Sequence, residues 1–193
     1  VKALGFTAVS VSAEEDPAIP GRHGLRFYRD QVAGKGVLEL RDGPWTEALQ
    51  TYERRRSTSH LVRPTCLSAK STAEELSVVV RRRMAAAAKH APIAVSLGDE
   101  VSATRHANPL DFCFGPDCLA AYREFVTARI GGLSAVNRAW GTEFTSLEEI
   151  EPFTAERIRA RELTGTQWPR NLRPWADHLV FVDRRMAQSV DYV

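Results

Sequence analysis

Ala94-Val95-Ser96-Leu97-Gly98-Asp99-Glu100 is the stretch on which the fold of this chain turns. Residues 94–97 are mostly apolar and have the length of a buried strand. Gly98 punctuates them, and two carboxylates follow at once. In a barrel or open sheet of parallel strands, the carboxyl end of a strand is where chemistry is placed. A carboxylate at that end is partly desolvated, which favours its neutral form and raises its pKa. Glu100 is therefore a candidate acid/base. Taken alone, the Asp99-Glu100 pair also fits a helix cap or a solvated turn.

The flanking sequence makes this strand part of a repeating pattern. Ser71 or Thr72, with Glu74 or Glu75 three residues later, reads as a capping box. The helix it opens runs through Leu76, Val79, Val80, Met84 and Ala87-Ala88 to His90, and Pro92 ends it. Earlier, Gly5 makes a turn before a parallel strand over 6–11, and Glu14, Glu15 and Asp16 follow its carboxyl end. Strand, helix and strand in this order imply βαβ architecture and an α/β fold. Residues 17–60 read as an insertion or long loop region, of the kind that builds a pocket rim, with a helix over 45–56 inside it. Further helices are expected from Asp117 or Pro116 to Ile130, stopped by Gly131-Gly132, and over 134–140, stopped by Gly141. Ser146 to Ile150 reads as a helical turn, and a last helix as 175–193. Residues 1–12 already read as core and 176–193 as a helix without a stop signal, so both ends look cut from a longer protein.

Composition sets the outer bounds. The chain has 193 residues, 44% of them hydrophobic and 26% charged, which describes an ordinary globular domain. A net charge of +2 gives no reason to propose a nucleic-acid partner, and Arg54–Arg56 and Arg81–Arg83 read as solvated helix faces. No apolar run approaches the ~18 residues of a membrane span, and no signal peptide is visible at the start. Three cysteines, Cys66, Cys113 and Cys118, do not resemble the framework of a small secreted domain. A metal site, packed thiols and a single disulfide all remain open. Ser96 and Ser102 lack a nucleophile elbow and a paired base.

The order of several blocks resembles glycoside hydrolase family 42, the β-galactosidase-like enzymes of the large clan of retaining barrels. The blocks are Arg63-Pro64-Thr65-Cys66-Leu67, then Ser96-Leu97-Gly98-Asp99-Glu100, then 111–123, which includes Cys113, Gly115 and Cys118, and finally Leu133 to Thr142. The ending Asn137-Arg138-Ala139-Trp140-Gly141-Thr142 is the most specific. The resemblance covers residues 60–150. It implies that 1–193 is an incomplete TIM-barrel catalytic domain, a part of a (β/α)8 barrel up to and just past the fourth strand. It also implies a retaining, double-displacement glycosidase acting on a carbohydrate substrate.

Within that resemblance Glu100 matches the general acid/base, which needs a raised pKa to protonate a glycosidic oxygen. Asp99 stands where the family has Asn. An Asn both donates to and accepts from a sugar hydroxyl, whereas an ionised Asp only accepts. Arg63, at the end of the third-strand segment, is a candidate for the substrate subsite, with surface ion pairing as the alternative. The nucleophile of the clan comes from the seventh strand, so it is not expected in this chain, and half a barrel would leave two open sheet edges. Some family members hold a structural zinc with four Cys. Cys66, Cys113 and Cys118 match three of them and Gly115 replaces the fourth. Since closed zinc sites usually have four ligands, His106, Asp111 or Asp117 is needed to complete the set. The reading favours loss of the metal and simple packing of the thiols, with a Cys113–Cys118 disulfide as a further alternative. No cofactor is required by the chemistry. Homo-oligomers are common in the family, without an interface specified here.

Trp140 and Trp175 offer stacking faces, but Trp140 recurs at helical spacing and is assigned to the core. Asp177-His178 reads as helix capping rather than a catalytic dyad. Two other functions fit the same residues: a non-catalytic carbohydrate-binding or scaffold relative of the barrel, and an unrelated α/β enzyme in which Asp99-Glu100 binds a metal.

Overall fold

The computed structural model describes residues 1–34, 36–38, 42–99, 101–103, 113–153 and 171–192. Three parallel strands, β1 (Ala8–Ser12), β2 (Arg26–Asp30) and β3 (Ala94–Val95), form a small sheet in the order β1-β2-β3. Ala8 faces Arg26 and Ser12 faces Asp30, while Tyr28 and Arg29 face Ala94 and Val95. The short helix α1 (Ile19–Arg22) lies between β1 and β2; α2 (Asp42–Arg55) and α3 (Lys70–Ala88) lie between β2 and β3. Parallel neighbours require such crossovers, so the mixed α/β character is shown. The described strands form an open sheet, and no closed barrel is present among the described residues.

Two expectations about the sheet need correction. The stretch 94–97 is not a buried central strand. Only Ala94 and Val95 pair, both are exposed, and β2 is the one neighbour of β3 among the described residues. The region 17–60 is not all loop, because Arg26–Asp30 is a strand. Phe27 and Arg29 point inward at 3% and 2% exposure. The alternation was hidden because its inward phase contains an arginine. The Arg29 guanidinium donates to the carbonyls of Ala13 (2.7 Å) and Glu15 (2.8 Å), tying down the chain beyond β1. The pairing of β2 with β3 continues into the loops, where Val32 N–H donates to Ser96 O and Ala33 N–H to Leu97 O.

Helix α3 packs Leu76 and Val80 against Val32, Ala33 and Leu38. Its expected capping box does not form: Ala69 is the N-cap and no side chain caps it. Helices α4 (Pro116–Ile130), α5 (Leu133–Trp140) and α6 (Arg173–Asp191) build a second, aromatic-rich core from Tyr122, Val126, Val136, Trp140, Ile150 and Phe181. Gly131 and Gly141, at φ +109° and +71°, end α4 and α5 in the left-handed region that glycine adopts without penalty. Asn137 explains part of the block that ends α5. Its Oδ1 accepts from Phe144 N–H and Thr142 Oγ1, and its Nδ2 donates to Phe144 O. A short 3-10 turn at Leu147–Glu149 follows.

Asp177 and His178 are both buried in this helical core. Asp177 lies in the second turn of α6 and is not its cap. It accepts from Trp140 Nε1 (2.9 Å) and Arg173 Nε (3.0 Å), and Arg129 approaches it at 3.4 Å. Trp140 is 3% exposed and belongs to the core, as its spacing predicts. No described helix is long and apolar enough to cross a membrane.

Candidate functional site

The three cysteines come from two distant parts of the chain. Cys66 lies in the loop before α3, Cys113 just before α4, and Cys118 in the first turn of α4. Two local features bring them together. Phe114 N–H donates to Leu61 O at 2.8 Å, so the segment before α4 lies against the loop that carries Cys66. Pro116 then opens α4 within its first turn, where its missing N–H costs nothing. Leu61, Cys113, Phe114 and Cys118 form one buried cluster, with Cys66 half-buried against it.

The sulfurs of Cys66, Cys113 and Cys118 all lie within 4.8 Å of one another, and Cys66 Sγ is 3.3 Å from Cys118 Sγ. All three thiols are free, so the Cys113–Cys118 disulfide is not formed. The thiols pack against apolar neighbours and also meet polar groups. Cys113 Sγ accepts from the backbone N–H groups of Arg63 (3.3 Å) and Gly115 (3.2 Å), and Ser68 Oγ is 3.2 Å from Cys118 Sγ. Hydrogen bonds from Cys113 and Cys118 lower the pKa of the Cys66 thiol well below its ordinary value. The Cys118 thiol is raised by its hydrogen bonds to Cys113 and Cys66, and then by burial. At Cys113 the hydrogen bond from Cys118 acts downward, but that to Cys66 and burial outweigh it and the thiol is raised. Three sulfurs in contact cannot all ionise without a cation between them, so the thiols are driven apart, Cys66 downward and Cys113 and Cys118 upward.

This buried cluster could hold a metal ion. Tetrahedral coordination at ~2.3 Å per thiolate places sulfurs ~3.8 Å apart, a separation that falls between the closest pair and the outer bound of the cluster. Of the residues considered as a fourth ligand, Asp117 is exposed and stands apart from the cluster. His106 and Asp111 lie outside the described residues. Gly115, where the resembled family has a cysteine, has φ −66° and ψ 156°, a conformation open to any residue. A Cβ there would lie 3.2 Å from Cys113 Sγ, at the edge of the cluster.

Arg63 is placed with the thiols. The residue is 2% exposed. Its Nη1 donates to Thr65 O (2.6 Å) and lies 3.1 Å from Thr65 Oγ1, which in turn donates to Gly36 O. Its Nε and Nη2 are buried without a hydrogen-bond partner among the described residues. Burial pushes the guanidinium below its ordinary pKa, while the charges of Cys113, Cys66 and Cys118 act in the opposite direction. A cavity of about 20 Å³ lies against Arg63, Cys113, Cys118 and the α6 residues Phe181 and Arg185. That is room for one water-sized group. A buried arginine at this position carries little sequence signal: Arg63 precedes a proline, and a surface arginine is the usual expectation.

Asp99 is exposed beyond the end of β3 rather than partly desolvated, and Glu100 lies outside the described residues. A cavity of about 680 Å³ opens elsewhere, along β1 and α1, with Glu15, Asp16 and His23 on its wall. The structure thus brings the three cysteines and Arg63 together and leaves Asp99 apart from them. Set against protein-family models, curated proteins and solved structures, the chain matched none.

Proposed function

We propose that this chain is part of a glycosidase similar to glycoside hydrolase family 42, acting on a β-linked carbohydrate by a retaining mechanism. In this reading Glu100 is the general acid/base, and Asp99 beside it contacts the sugar. Cys66, Cys113 and Cys118 hold a structural zinc, which fastens the loop before α3 to the start of α4. The observation that carries the reading is the convergence of the cysteines: Cys66 and Cys118, 52 positions apart, meet at 3.3 Å. These are the residues the resemblance singles out as thiol ligands. Parallel strands with helical crossovers, and Asp99 exposed past the carboxyl end of β3, agree with it.

Protonation of the departing oxygen is worth most when the leaving group is poor. Glu100→Gln in the full-length protein should therefore lower turnover of an alkyl β-galactoside by ~10²–10⁴. An activated dinitrophenyl glycoside, which departs without a proton, should lose far less in its glycosylation step. Unchanged alkyl-glycoside turnover in Glu100→Gln, or activity that depends on added divalent metal and survives Glu100→Gln, would overturn the assignment. The Asp at position 99 favours one second reading, a carbohydrate-binding relative without turnover. Calorimetric sugar binding by a wild-type protein that hydrolyses nothing would select it.

A further inference from the structure

We infer that Arg63 is the internal counter-charge of a three-thiolate metal centre, a positioning residue whose cation makes the buried site electrically neutral when a divalent metal is held by Cys66, Cys113 and Cys118. This rests on the metal-binding part of the reading above.

A guanidinium removed from water needs an anionic partner or a full set of acceptors. Arg63 has neither in carboxylate form: no acidic side chain pairs with it among the described residues, and Nε and Nη2 have no acceptor. Around it stand the thiol cluster, Leu67, Phe181 and the part-buried Arg185, whose guanidinium lies over the Phe181 ring. Its backbone N–H donates to Cys113 Sγ, its Nη1 is held by Thr65 immediately before Cys66, and its side chain shares a small cavity with Cys113 and Cys118. Three thiolates and one divalent ion sum to one negative charge, which Arg63 cancels. A neutral group is favoured over a charged one in a site with this little solvent.

The test titrates Co²⁺ into the full chain under reducing conditions and follows the thiolate-to-metal absorption, with Zn²⁺ affinity obtained by chelator competition. Arg63→Met keeps the volume and removes the charge. It should bind both metals ~10–100-fold more weakly, the usual cost of losing an outer-sphere partner. Arg63→Lys should stay within about threefold of wild type, because charge rather than fork geometry is what the centre needs. The metal-free melting temperature separates this role from a merely structural one. With the uncompensated cation gone, metal-free Arg63→Met should melt at or above the wild-type temperature. A lower metal-free melting temperature with unchanged metal affinity overturns the inference and makes Arg63 a packing residue. If Arg63→Met does not fold, Arg63→Lys decides: retained affinity supports the counter-charge, and a loss beyond tenfold overturns it. A wild-type chain that binds no Co²⁺ overturns the metal reading itself. Equal affinity in wild type and Arg63→Met overturns only the counter-charge.

Discussion

The sheet and the α4–α5–α6 core are built from similar kinds of residue but reach different degrees of closure. In the helical core Tyr122, Val126, Val136 and Ile150 have no exposed surface. Two of its polar atoms are paired across helices, Trp140 Nε1 on Asp177 and Tyr122 Oη on Pro174 O. Along the sheet, Val11 is the single fully buried residue of β1, β3 is exposed throughout, and Phe6, Ile93 and Val95 are 57%, 52% and 44% exposed. A helix buries its stripe as soon as one or two other helices lie against it. A parallel strand needs neighbours on both sides and cover on both faces. The thiol cluster lies at the start of α4, on the well-closed side, whereas Asp99 lies at the exposed edge.

That contrast predicts a graded response to substitution. Trp140→Ala removes a large buried ring and one hydrogen bond to Asp177, and should cost about 3–5 kcal/mol in denaturant unfolding. Asp177→Asn keeps the shape and loses the charge. Arg173 and Arg129 are each about half exposed (48% and 47%), so their ion pairs contribute little. The buried bond from Trp140 sets the expected cost at about 1–3 kcal/mol. Val95→Thr, on the exposed edge, should stay within ~0.5 kcal/mol. A cost above ~2 kcal/mol at Val95 in the full-length protein would show that β3 is covered there, and the contrast would then belong to this segment alone.

Helices were the legible part of this chain. Their apolar spacing and their glycine stops are local properties, so α4 and α5 appear within a residue or two of where the pattern puts them. Strand β2 was not legible because Arg29 occupies an inward position, and only the carbonyls of Ala13 and Glu15 make that position habitable. The Asp177 assignment failed for a related reason. A carboxylate near a helix start suggests a cap, and its true partner, Trp140, is 37 residues away.

Local sequence was enough for the helices, the glycine turns and the identity of the cysteines, since those depend on neighbours three or four positions apart. The tertiary structure decided that Cys66 meets Cys113 and Cys118, that Arg63 is buried beside them rather than on the surface, and that residues 94–97 form an edge rather than a centre. Each of these depends on what lies across the fold. Burial and charge compensation are set by contacts between residues far apart in the chain, and no periodicity within a segment encodes them.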